Sequence, residues 1–173
     1  RTDPLSGLGN RRSIDIDLPD KIAEVQTRRS DGAAIRLAFV VIDIDGFKAI
    51  NDRLGHRAGD QVIERVGALI AGSLHEGDLA ARWGGEEFLI VAAVADEDAA
   101  WQRAEALRVA VAATTDMAQP LTVSIGVACL PFDPARSDAP GWEQVVEIAD
   151  TAMYIAKHEG RNRAYGFHAT GPL

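Results

Sequence analysis

Asp43 closes a short apolar run, and Gly84-Gly85-Glu86-Glu87 follows a second such run further along the chain. Carboxylates brought together from two separate segments are the raw material of a divalent-metal site. Two like charges about 4 Å apart repel by roughly 4 kcal/mol at an effective dielectric near 20. A hydrated Mg²⁺ relieves that repulsion, because the ion takes one or two carboxylates and fills its remaining positions with water and phosphate oxygens. A Glu-Glu pair in a hairpin is more often a solvated acidic turn. Two features weigh against that reading here. Gly84 and Gly85 remove side chains where a ligand could approach the backbone, and an acid that ends an apolar strand needs a partner.

These acids can meet only if the elements that carry them are neighbours. Residues 37–43 form a continuously apolar run ending in an acid, which predicts a buried strand. Residues 79–82 and 88–94 read as two more strands, and the glycine pair between them signals a hairpin. If the first strand lies beside this hairpin, Asp43, Glu86 and Glu87 crowd together. A first helix is expected over residues 10–31, kinked or delayed by Pro19. A short helix follows over residues 47–54, broken at Gly55. Helical apolar spacing then runs over residues 60–74 through Val62, Ile63, Val66, Leu69 and Ile70. An Ala-rich helix spans residues 96–114 with Asp96 as N-cap. A strand over 121–130, a Pro/Asp-rich loop over 131–141, a helix over 142–159 closed by Gly160 and a last strand over 162–167 complete the order. Strands and helices mixed in this way predict one sheet with helices packed against it.

With 173 residues, 47% of them hydrophobic, the chain supports one domain with a real core. The formal net charge of −8 excludes a general affinity for nucleic acid or anionic membrane. A phosphate-bearing ligand must then be held by metal or by a local cluster of cations. The single cysteine, Cys129, sits in an apolar run and reads as a small core residue, not a nucleophile. No stretch reaches the roughly 20 apolar residues a membrane helix needs, and no signal-peptide pattern appears. The pattern starts within the first few residues, as expected of a piece of a longer protein.

The motifs themselves resemble those of the GGDEF family of diguanylate cyclases. Gly84-Gly85-Glu86-Glu87-Phe88 is similar to its signature in a GGEEF form. Asp43-Ile44-Asp45-Gly46-Phe47-Lys48, with Asn51-Asp52 and Gly55-His56, resembles its metal-and-nucleotide segment. Asp3-Pro4-Leu5-Ser6-Gly7-Leu8 with Asn10-Arg11-Arg12 resembles the opening motif, with Ser6 where Thr is common. Ala152-Met153-Tyr154 with Lys157, Gly160, Arg161 and Asn162 resembles the closing helix. The likeness covers residues 3–167 as a single catalytic domain. One five-residue motif would be weak; four in the right order and spacing are strong.

The resemblance implies an α/β fold of the α+β kind. It is palm-like and ferredoxin-related, with a mostly antiparallel central sheet wrapped by helices, as in nucleotidyl cyclases. It also implies condensation of two GTP into cyclic di-GMP with release of pyrophosphate. By that likeness Asp43, the Ile44 carbonyl, Glu86 and Glu87 hold two Mg²⁺ ions, with Mn²⁺ as a substitute. Glu86 doubles as proton acceptor, and Lys48 stabilises charge on the phosphates. Phe47, Lys48, Asn51, His56, Asp60, Gly85, Lys157 and Arg161 surround the substrate. Asn51 and Asp60 read guanine, while Lys157 and Arg161 meet the outer phosphates. Local sequence also offers plainer roles. Asp60 after Gly59 can cap a helix, and Lys157 and Arg161, on either side of a Gly160 helix stop, can complement the helix dipole.

Two GTP joined by two linkages imply a homodimer with facing sites, in a cytoplasmic setting where GTP is available, with no nucleic-acid partner and no membrane contact by this domain. The inhibitory Arg-x-x-Asp of many relatives is replaced by His75-Glu76-Gly77-Asp78. An imidazole lacks the planar, permanently charged fork of guanidinium, so weak product inhibition is expected. The alternatives are a catalytically silent module that binds GTP or cyclic di-GMP and a purely structural dimerisation domain.

Overall fold

A computed structural model describes residues 1–133, 135, 141–168 and 171–172. Its centre is β2 (Arg36–Ile44), buried along its whole length. Nine consecutive buried residues require a neighbour on each edge and cover on each face. The edges are taken by β4 (Glu87–Val94) and β5 (Val123–Leu130), both antiparallel to β2. Beyond β4 lie β3 (Leu79–Arg82) and the two-residue β1 (Gly9–Asn10); beyond β5 lie β6 (Arg163–His168) and β7 (Gly171–Pro172). Among the described strands, only the β1–β3 and β5–β6 pairings are parallel. The sheet is therefore mostly antiparallel, as expected.

Alternation along β2 divides the core in two. Leu37, Phe39 and Val41 pack with α1 (Arg11–Ser30) and α5 (Trp142–His158). Ala38, Val40, Ile42 and Ile44 pack against α2 (Phe47–Leu54), α3 (His56–Ser73) and α4 (Glu97–Ala112). The α5 helix lies unusually close to β5. A Cβ on Gly126 would stand 1.8 Å from the Ala149 carbonyl oxygen and 2.4 Å from the Met153 nitrogen. Only glycine allows that approach, and it fixes where the C-terminal end of α5 arrives.

Several boundaries differ from expectation, each for a local reason. The α1 helix runs through Pro19 without interruption. Pro19 and Asp15, whose carbonyl loses its donor, are both exposed, so water can satisfy that carbonyl. The third helix starts at His56, a turn before the apolar spacing begins. Its N-cap is Gly55, and Asp60 lies inside the helix, so Asp60 does not cap it. Glu87 belongs to β4, not to the turn, and the strand expected from residue 121 starts at Val123. The pairings of β1 and β7 were too short to carry a periodic signal. Residues 134 and 136–140 of the expected Pro/Asp-rich loop lie outside the described residues.

Candidate active site

The β2–β4 register sets Asp43 opposite Glu87. One residue on, the Ile44 N–H donates to the Glu86 carbonyl at 3.2 Å. The turn between β3 and β4 is closed by the Trp83 and Gly84 N–H groups, which both donate to the Glu87 carbonyl, at 2.7 and 3.2 Å. Arg82 grips the same turn through the Gly85 carbonyl, donating from Nε at 3.0 Å and from Nη2 at 2.7 Å. Its Nη1 pairs with Asp3 at 3.4 Å, tying the turn to the opening motif. The three predicted carboxylates thus converge at one end of the sheet. Among the described residues no three His, Cys, Asp or Glu side chains close into a ready-made metal cage. An ion that reserves most of its sphere for water and phosphate oxygens needs no such cage.

The electrostatics of this corner are those of carboxylates held too close. Burial pushes the Glu87 carboxyl up to about 7, with the charges of Asp43, Asp150 and Glu86 acting in the same direction. Burial likewise raises Asp43, against the pull of Lys157. Lys157 Nζ, from the last turn of α5, stands 2.7 Å from Asp43 and 3.2 Å from Asp45. Its charge offsets those of both carboxylates.

The α2–α3 corner brings Asn51 beside Gly59. A Cβ at Gly59 would lie 1.9 Å from the Asn51 Oδ1, so glycine leaves room for that amide. Asn51 Oδ1 is buried without a hydrogen-bond partner among the described residues. Asp60, next in sequence to Gly59, is exposed on the same stretch of α3. Lys48, His56 and Arg161 are exposed as well, and none has a carboxylate partner among the described residues. Phe47 packs beneath this corner, against the α2–α3 side of the core.

The chain matches the family model described as "Diguanylate cyclase, GGDEF domain" over residues 1–163. It belongs to the GGDEF family. This GGDEF domain is 38% identical to the diguanylate cyclase DgcP of Pseudomonas aeruginosa over 164 residues, which cover 94% of this chain and 23% of that protein. It is 34% identical to the diguanylate cyclase DosC of Escherichia coli, covering 93% of this chain and 34% of that protein. The domain therefore spans about a quarter to a third of these relatives. The crystal structure of the GGDEF domain of DgcB from Caulobacter crescentus, in complex with c-di-GMP, superimposes with a TM-score of 0.80 at 34% identity, over 95% of this chain and 94% of that one. The active GGEEF domain of a diguanylate cyclase from Vibrio cholerae matches with a TM-score of 0.80 at 29% identity, over 93% and 97% of the two chains.

Two residues of the GGDEF domain went unrecognised in the sequence. Asp45 is a nearly buried hub that accepts from Thr122, Ser124, Lys157 and Asn162. Arg103 of α4 donates to Asp78 at 2.6 Å, and the His75 backbone N–H donates to the same Asp78 oxygen at 2.8 Å. His75 and Asp78 lie before β3, at the end of that strand away from Arg82, and so apart from the carboxylates. Nothing in the local sequence links Arg103 to Asp78, because the pair spans two elements. Cys129 is buried and its thiol is pushed up to about 11 by that burial, as befits a core residue. Among the described residues no helix is long and apolar enough to cross a membrane.

Proposed function

We propose that this GGDEF domain is a diguanylate cyclase, joining two GTP into cyclic di-GMP with loss of two pyrophosphates. The supporting observation is the meeting of Asp43, Glu86 and Glu87 at one sheet end, with protons or cations needed to relieve their repulsion. Asp43, Glu86, Glu87 and the Ile44 carbonyl would hold two Mg²⁺ ions, with Mn²⁺ as a substitute. Bound there, the ions supply charge neutralisation on the triphosphate and acidify the attacking 3′-hydroxyl.

The chain's own groups do the rest. Glu86 takes the proton of the 3′-hydroxyl as its oxygen bonds to the α-phosphorus of the second GTP. The bond from that phosphorus to the β-phosphate oxygen breaks, and pyrophosphate leaves. Lys48 lies on α2 beside Phe47 and meets developing charge on the phosphates, while Lys157 and Arg161 bind the outer ones. The unpartnered Asn51 Oδ1 and the Asp60 carboxylate accept from guanine, whose N1–H and exocyclic amine form a donor pair that adenine lacks. Gly85 leaves the backbone open to substrate, and His56 borders the same space.

One site holds one GTP, and the product has two linkages. The active species is therefore a homodimer with facing sites, working where GTP is available, in the cytoplasm. Incubation with GTP and Mg²⁺ followed by chromatography tests this reading beside a Glu86→Gln variant. Cyclic di-GMP from the wild type, with loss of at least a hundredfold in the variant, is expected of a general base that is also a ligand (about 10²–10⁴-fold). GTP binding without turnover in both proteins would replace the enzyme by a silent binding module.

A further inference from the structure

The Asp43-Ile44-Asp45 segment presents two carboxylates of the same face with opposite degrees of saturation. An ionised carboxylate offers about four lone-pair positions. On Asp45 all four are taken. Oδ1 accepts from the Ser124 hydroxyl at 2.7 Å and from Lys157 Nζ at 3.2 Å. Oδ2 accepts from the Thr122 hydroxyl at 2.8 Å and from the Asn162 backbone N–H at 2.9 Å. The side chain is only 6% exposed. Asp43, by contrast, has Lys157 as its one cationic partner among the described residues, at 2.7 Å, and otherwise faces the Glu87 carboxyl across the ladder. Asp43 retains capacity for a ligand; Asp45 has none left.

What Asp45 holds is a backbone that would not hold itself. After α5 the chain passes through Gly160 at φ 123°, Arg161 at φ 63° and Asn162 at φ 44°. Two successive non-glycine residues in the left-handed region are disfavoured unless their surroundings fix them. The Asp45 carboxylate fixes one side through the Asn162 N–H. From the other side Arg108, braced by Glu105 at 2.5 Å, donates to the Asn162 Oδ1 at 3.0 Å and to its carbonyl oxygen at 3.4 Å. Between these clamps the loop presents Arg161, and the same Asp45 oxygen that takes Ser124 also steadies Lys157.

We propose that Asp45 is a positioning residue, not a metal ligand, which sets the Lys157 ammonium and the Arg161 loop for the outer phosphates of GTP. This rests on the cyclase reading of the site, but the clamp itself exists without ligand and can be measured without activity. An Asp45→Asn variant keeps the shape while losing the charge and one acceptor. Hydrogen exchange of the Asn162 amide in the ligand-free domain should then accelerate about tenfold, as for a lost charge-assisted hydrogen bond. KM for GTP should rise by about as much, with kcat changed less. Mn²⁺ affinity, followed by electron paramagnetic resonance, should stay within twofold of wild type. Arg108→Ala, which loosens the loop from the far side, should reproduce the faster exchange and the higher KM.

Loss of Mn²⁺ binding in Asp45→Asn with unchanged Asn162 exchange would overturn the proposal, making Asp45 a ligand after all. Unchanged KM despite faster exchange would overturn it equally, since the loop would then not serve the phosphates. If wild type itself neither binds nor turns over GTP, the cyclase reading fails while the exchange measurement still decides the clamp.

Discussion

Asp43 stands directly across the β2–β4 ladder from Glu87, so two acids form a cross-strand pair where apolar or oppositely charged partners would be stabilising. Glu87 answers by rising to about 7, through burial first and the charges of Asp43, Asp150 and Glu86 after it. The ordinary value is 4.5, so the folded state binds this proton more tightly than the unfolded chain. The stability it contributes is whole below 4.5 and is lost as pH rises through 7. The metal-free domain should therefore melt at a lower temperature at pH 8 than at pH 5.5, and Glu87→Gln should flatten that slope. Mg²⁺ or Mn²⁺ competes with the proton, so metal affinity should climb over the same interval. A slope indifferent to Glu87→Gln would remove Glu87 from the cluster.

That pairing was legible because it rests on pattern. An apolar run ending in Asp43 and a glycine turn between two strands are local signals, and their alignment needed only that the strands be neighbours. The short α2 helix, ending before Gly55, was readable for the same reason. What stayed hidden depends on distance in sequence. Asp45 gathers Thr122, Ser124, Lys157 and Asn162 from three later segments, and Arg103 meets Asp78 across two elements. No spacing rule announces such contacts. The start of α3 was missed for another reason: His56, Arg57 and Asp60 are exposed, so its first turn has little apolar periodicity.

The Asp3–Arg82 pair offers a second test, because Arg82 also carries the Gly85 carbonyl at the heart of the turn. Both side chains are largely buried, at 16% and 22% exposure. Asp3→Asn should leave the fold intact and cost about 1 kcal/mol. Its larger effect should be on turnover, a fall of about three- to tenfold at saturating GTP, since a misplacement of the turn moves Glu86 relative to its proton. Steady-state kinetics beside thermal melting separate the two. A Tm loss with kcat unaltered would confine Asp3 to stability.

Gly126→Ala probes the seating of α5. The added methyl meets the Ala149 carbonyl and the Met153 nitrogen, both backbone atoms that cannot rotate away. Relief requires lifting the helix, and Lys157 lies two turns beyond Ala149 on it. Overpacking of this kind costs about 1–3 kcal/mol, or roughly 2–4 °C of Tm for each kcal/mol in a domain of this size. Chemical denaturation should show that loss, and KM for GTP should rise with it as Lys157 leaves Asp43. Wild-type stability would mean that α5 and β5 are less tightly apposed than the Gly126–Ala149 approach requires.

The segment before β3 bears on inhibition by the product. Asp78 is only 4% exposed, and its carboxylate is already taken by Arg103 and by the His75 backbone N–H. Both contacts fall on Oδ2, but a carboxylate buried this deeply and already paired with Arg103 presents little surface to a guanine edge, and the exposed His75 imidazole supplies no planar charged fork. Cyclic di-GMP should therefore inhibit this domain weakly. His75→Arg should restore what is missing, because the backbone N–H to Asp78 survives the change while a guanidinium is added on the open side. A bidentate, charge-assisted contact is worth enough to lower the inhibition constant about tenfold or more. Titrating product into a GTP turnover assay of both proteins decides it. Strong inhibition of the wild type, abolished by Asp78→Ala in a protein that still folds, would show that Arg103 already does the work assigned here to the absent arginine.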